Sequence, residues 1–180
     1  MIGCYDFCGH YEWTFAWLER QGGHALVREY WEKAIAADSQ RHAAELIGRD
    51  GFAGMAKYWG HTLAEESPEL GFSITQAPGL FRIDMHACPS VQLIREGGRV
   101  EPYPKYCEHC RRLYPPLIEE YGYEVDYYIL DFERGRCRMT VRIPPGAKTP
   151  DTESYVCGQS PPLRAATLSD RSGETAPESR

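Results

Sequence analysis

The sequence predicts an α+β fold: an N-terminal helical half packed on a mostly antiparallel sheet that carries one or two further helices. Three observations predict it. Apolar residues recur at helical spacing between residues 10 and 66. Near residue 72 the period changes to two. The β-prone segments that follow are joined by short turns, as antiparallel neighbours allow.

The first helix is expected over 10–20, with Trp13, Ala16 and Trp17 on one face, and Gly22-Gly23 breaks it. The clearest helix spans 24–47. There Val27, Trp31, Ala34, Ile35, Leu46 and Ile47 share a stripe, and Gly48 supplies a stop. A third covers 52–66, with Phe52, Met55, Ala56, Trp59 and Leu63 inward. Phe72 and Ile74, then Phe81, Ile83 and Met85, alternate with polar residues around the turn Ala77-Pro78-Gly79, which reads as a hairpin. Cys88-Pro89 ends its second strand, because proline cannot donate to the ladder. A short helix at 90–96 and a Gly/Pro loop at 97–104 precede helical residues 105–121. Pro115-Pro116 divides these into two pieces. A strand at 123–132 and a turn at Glu133-Arg134-Gly135 lead to a last strand. Its Cys137, Met139 and Val141 face the core, opposite Arg136, Arg138 and Arg142.

Together these elements make residues 1–143 one domain. Residues 144–180 hold six of the thirteen prolines and few large apolar side chains. Such a segment buries too little surface to offset its ordering entropy, so a disordered tail is expected, with Cys157 inside it.

Composition narrows the function. With 180 residues, 42% of them apolar, the chain is long enough for a real core. The net charge is −6. Residues 1–94 hold 7 basic and 12 acidic side chains, and residues 95–142 hold 9 of each. A nucleic-acid binder needs a concentrated basic stripe to displace counterions, and there is none. No run is long and apolar enough to span a membrane. The start, MIGCYDFCGHYEW, lacks the basic and apolar regions of a signal peptide. The expected location is therefore the reducing cytoplasm, where an odd count of seven cysteines reads as thiols or metal ligands. The expected partner is a small molecule; nucleic acid, membrane and nucleotide cofactors are not expected.

Cys107-Glu108-His109-Cys110 is a C-x-x-C. On a helix its two sulfurs share a face and suit zinc or another thiophilic divalent metal. Its place in the first helical turn leaves a redox-active pair open as well. Cys88, after a strand, and Cys137, within one, can complete a four-cysteine set, with His86 or His109 as substitutes. Cysteine also simply packs, being among the most buried residue types. If the second hairpin strand runs straight to residue 88, then Asp84, His86 and Cys88 project from one face, as a nucleophile with its base or as a water-activating group. Three lesser clusters are read as candidates beside their ordinary structural roles. The segment Cys4–Glu12 is dense in Asp, Cys, His and Glu, and caps a helix equally well. Asp38 and His42 stand four apart on a helix, as an oriented base or a solvated pair. Arg136, Arg138 and Arg142 can clamp a carboxylate or simply decorate an outer face. His61 is expected on a helix surface.

The run Phe81-Arg-Ile-Asp-Met-His-Ala-Cys88-Pro89, then Tyr106-Cys107-x-x-Cys110, then Gly135-Arg-Cys137-Arg-Met-Thr-Val resembles the L-2-amino-thiazoline-4-carboxylate hydrolase-like family over roughly residues 24–143. That resemblance implies a small hydrolase that adds water to a cyclic C=N bond, with Asp84, His86 and Cys88 as catalytic candidates. Cys110 stands where the family often carries an acidic residue. The cysteine layout is also similar to the 4-vinyl reductase-type domain. This implies the alternative, a non-catalytic zinc-binding sensor module in which Cys88, Cys107, Cys110 and Cys137 hold the metal.

Overall fold

The computed structural model describes residues 4–66 and 71–152, without the side chains of residues 4, 38, 39 and 62–66. Helix α1 (Cys4–Tyr30) runs into a π-helical turn (Trp31–Ile35), followed by α2 (Ala36–Ser39) and α3 (Arg41–Glu66). The strands are β1 (Phe72–Ala77), β2 (Leu80–Met85), β3 (Glu124–Asp131) and β4 (Arg136–Arg142). Helices α4 (Pro89–Gly97) and α5 (Glu108–Glu119) lie between the two hairpins. All pairings are antiparallel, in the order β1-β2-β4-β3. The fold is α+β, as the change of period predicts. Among the described residues no helix is long and apolar enough to cross a membrane.

The expected break at Gly22-Gly23 is present as a kink inside α1, where Gly23 has φ +69°. The expected stop at Gly48 is not. The chain stays helical through Gly48 and kinks at Gly51 (φ +55°, ψ −128°). Pro115 and Pro116 likewise sit inside a continuous α5 and do not divide it. Both line an open groove, where water can reach the carbonyls that lose their helical donors, while Leu113 and Ile118 anchor the helix in the core.

Two apolar clusters flank the centre of the molecule. One joins Phe52, Met55 and Trp59 of α3 to Phe81, Ile83, Met139 and Val141 on the inner sheet face. The other joins Phe15, Val27 and Trp31 to Tyr103, Tyr106 and Leu113. Register explains the sheet's part. Ile83 pairs with Met139 and Phe81 with Val141, so both strands bury the same parity.

The ordered domain does not end at residue 143. Thr149 is buried, and Asp151 accepts hydrogen bonds from the Phe52 N–H (3.1 and 3.3 Å) and the Tyr123 hydroxyl (2.5 Å). It thereby caps the second half of α3, whose first amide is freed by the Gly51 kink. A Cβ at Gly51 would overlap the Asp151 carboxylate, so glycine is required there for space as well as for its positive φ. Prolines and polar residues hid this clasp, because one carboxylate on a helix terminus stabilises without apolar area. The rest of the proposed tail, with Cys157, lies outside the described residues. Asp151→Ala is expected to cost about 2 kcal/mol in urea denaturation, from a lost cap and a stranded amide. An unchanged midpoint would show that the clasp contributes nothing.

Candidate functional site

A cavity of about 250 Å³ lies between the two clusters. Its walls come from the start of α1, the second half of α3, the inner sheet face, the entry to α4 and the first turn of α5. Cys8, Cys88, Cys107, Cys110 and Cys137 all line it, with His109. A larger groove of about 690 Å³ between α5 and β3 is open and, among the described residues, has no cysteine or histidine in its lining.

The four cysteines singled out in the sequence, which come from distant segments, all line this one cavity. The route of Cys88 differs from the one expected. The ladder ends at Met85, and the His86 and Ala87 amides both donate to the Gly71 carbonyl (2.7 and 2.9 Å). This bend resets the alternation. Cys88 then precedes α4, its N–H donating to the Gly135 carbonyl (3.1 Å), and turns into the cavity. Gly135 has φ +61°, and a Cβ there would stand 2.5 Å from that of Cys88. The turn into β4 therefore needs glycine in order to reach the site.

Asp84 and His86 stay behind on the outer sheet face. Asp84 accepts from Arg138 Nε (2.5 Å), and His86 Nε2 lies 3.2 Å from the Ser73 hydroxyl. Asp84, His86 and Cys88 are thus not assembled as a catalytic group. Strand parity would have placed them on one face only if the strand had continued straight to residue 88. The carboxylate clamp is not assembled either. Arg138 is paired with Asp84 and Arg142 with Asp126, both on the outer face.

The donor types around the cavity suit a thiophilic cation, but their spacing does not form a site. Among the described residues, no group of three or more His, Cys, Asp or Glu is placed to hold one ion. Cys107 directs its thiol toward the Phe132 carbonyl (3.9 Å), and Cys137 Sγ accepts from the Tyr127 hydroxyl (3.3 Å). The thiols are also held protonated. Burial, with repulsion from Cys110, pushes Cys88 up to about 12, and burial pushes Cys137 up to about 11. Cys107 is raised as well, by burial and then by Cys88 and Cys110.

His109 and Cys110 form a distinct pair. His109 Nδ1 lies 2.5 Å from the Tyr106 carbonyl. A carbonyl only accepts, so Nδ1 carries the proton in this contact and Nε2 presents its lone pair. Nε2 stands 3.4 Å from Cys110 Sγ. Burial lowers the imidazole's pKa and keeps the ring neutral, and the rings of Tyr106, Phe15 and Trp31 (centroids 4.6, 6.0 and 6.4 Å away) fix its plane. A thiol, a base in reach of it and a third group orienting the base are the parts of an activated nucleophile.

Glu12, in the sequence only one member of the Cys4–Glu12 cluster, has a buried carboxyl beside the site. It is 1% exposed, and its Oε2 accepts from the Tyr103 N–H (2.5 Å). Burial raises its pKa to about 7 against the opposing pull of that bond, His109 and Arg95. The signal was present in the spacing. Cys8, Glu12 and Phe15 fall on one helical face, so the carboxylate sits in a buried stripe. His10, His42 and His61 are exposed, and the His42 ring faces Tyr58. The side chains of Cys4 and Asp38 lie outside those described. No family model matches the chain, and neither a curated protein nor a solved structure is significantly similar to it.

Proposed function

We propose that this protein is a hydrolase that opens a small ring at a C=N carbon, with Cys110 as nucleophile and His109 as its base. The observation that carries this reading is the dyad: Cys110 Sγ 3.4 Å from a His109 Nε2 whose other nitrogen is committed to a carbonyl. The cavity volume suits a five-membered ring, and the motif resemblance points to the same reaction class.

The steps balance without a metal. The Cys110 sulfur adds to the C=N carbon of a thiazoline, and its proton passes through His109 to the ring nitrogen. The adduct collapses as the ring sulfur leaves, taking that proton as a thiol and restoring the C=N bond on Cys110. Water then adds to the same carbon, giving its proton to His109, and Cys110 departs as the thiol. The net change is one water added and one C–S bond opened. Cys88, Cys107 and Cys137 remain protonated wall groups, since none is paired with a base. Because no three donors converge among the described residues, no metal step is assigned.

A second reading, a non-catalytic ligand-binding module, is favoured by those protonated thiols and by the aromatic lining. It requires binding without turnover. Mass spectrometry of the protein incubated with 2-amino-2-thiazoline and with its 4-carboxylate separates the two. Ring-opened product and a covalent adduct on Cys110 are expected from at least one of the two rings, both lost in Cys110→Ser. His86→Gln, on the outer face, should retain full activity. Wild-type turnover in Cys110→Ser would remove the nucleophile, and binding with no product would leave the module reading.

A further inference from the structure

Among the described residues, the cavity that holds the dyad has no charged lining: its polar groups are thiols, phenols, the Trp59 indole, the Gln40 amide, the Ser90 hydroxyl and the His109 imidazole, with no Arg, Lys, Asp or Glu side chain. Glu12 acts on Cys107 and Asp84 on Cys137, and each carboxylate disfavours a further negative charge beside that thiol. Of the β4 arginines, Arg138 and Arg142 are paired across the outer sheet face, and Arg136 is not part of the cavity lining. Arg95 lines a separate space of about 280 Å³ together with Glu12 and Glu101, and Tyr106 and Cys107 line both spaces.

An anionic group moving from water into such a space loses hydration and gains no cation. A flat ring without negative charge loses little. It gains contact with the aromatic side chains of Tyr11, Trp59 and Tyr114. We propose that the cavity takes a cyclic amidine or thioimidate carrying no negative charge, and rejects the carboxylated form of the same ring. This inference rests on the reading of the cavity as the reaction site, and it separates this chain from an enzyme for a thiazoline carboxylate. Specificity here comes from an absent counter-charge, since a buried unpaired carboxylate discriminates more strongly than any single added contact.

The test uses three ligands of one ring: 2-methyl-2-thiazoline, its 4-carboxylate and the methyl ester of that carboxylate. Binding to the full chain is measured by calorimetry at neutral pH and by protection of Cys110 from iodoacetamide. The parent ring and the ester are expected to bind about a hundredfold tighter than the carboxylate. The ester controls for size, because it is larger than the carboxylate yet uncharged. A carboxylate that binds as tightly as the ester overturns the inference, and so does the absence of binding by all three. If carboxylate binding is found and Arg95→Ala abolishes it, the adjoining space is the anion subsite and the inference is equally overturned. Binding of the uncharged rings without turnover of any thiazoline supports the inference and removes the hydrolase reading, so the two fail separately.

Discussion

His109→Gln is expected to lower kcat/KM for ring opening about a thousandfold, within the range by which a positioned base contributes to catalysis. The glutamine can still donate to the Tyr106 carbonyl, but it offers no basic nitrogen to Cys110. Two further readouts distinguish loss of the base from loss of structure. Alkylation of Cys110 by iodoacetamide should slow in the variant. In the wild type its pH profile should show a step below the ordinary histidine range, because burial lowers the His109 pKa. Protonating Nε2 removes the lone pair, so reactivity falls as pH drops through that step. A variant that folds, alkylates at the wild-type rate and shows the same profile would exclude His109 as the base.

The second large effect concerns Glu12 and stability. Its carboxyl titrates at about 7 in the fold, against 4.5 for the ordinary group, because burial disfavours the anion. Between those pH values the folded chain holds a proton that the unfolded chain has released. Stability therefore falls as pH rises from about 4.5 to 7. The full loss is about 3 kcal/mol, at about 1.4 kcal/mol for each unit of pKa difference. Glu12→Gln keeps an oxygen for the Tyr103 N–H and removes the charge. Relative to wild type, the variant should gain about 3 kcal/mol between pH 4.5 and pH 8 in urea titrations. His109 acts in the opposite sense, since its depressed pKa weakens the fold as pH falls below 6.5. Because both proteins carry His109, its contribution largely drops out of the difference. Parallel stability profiles for the two proteins would show that the Glu12 carboxyl is not charged at a cost.

These two residues show where the sequence was legible. His109 was visible only as a spare ligand inside Cys107-Glu-His-Cys110. Adjacency in a helix says nothing of whether an imidazole leans toward its neighbour's sulfur; the Tyr106 carbonyl decides that. Glu12 was visible only as one member of a polar cluster at the chain's start, and its burial beside Cys8 and Phe15 is shown by the structure. Burial raises its pKa against the hydrogen bond from Tyr103, which is 91 residues away. The Gly51 kink and Asp151 make the same point for stability. A carboxylate in a proline-rich stretch had no apolar pattern to mark it as part of the domain.

The sequence by itself determined the fold class and the two hairpins, because helical and twofold periods are local properties of a chain in water. On the first helix Trp13 and Trp17 are exposed, and the buried side carries Cys8, Glu12 and Phe15. The C-x-x-C spacing on a helix and the parity of Cys137 on β4 also carried directly into the cavity wall. Only the tertiary structure decided the orientation of the donors and the place of the charges. The bend at His86-Ala87, made by two amides on the Gly71 carbonyl, sent Cys88 inward and left Asp84 and His86 outside. Parity propagates along a strand only as long as its ladder lasts, and where the ladder stops is set by partners distant in sequence. For the same reason the arginines of β4 were legible as a row, while their pairing with Asp84 and Asp126, and hence the uncharged cavity, was not.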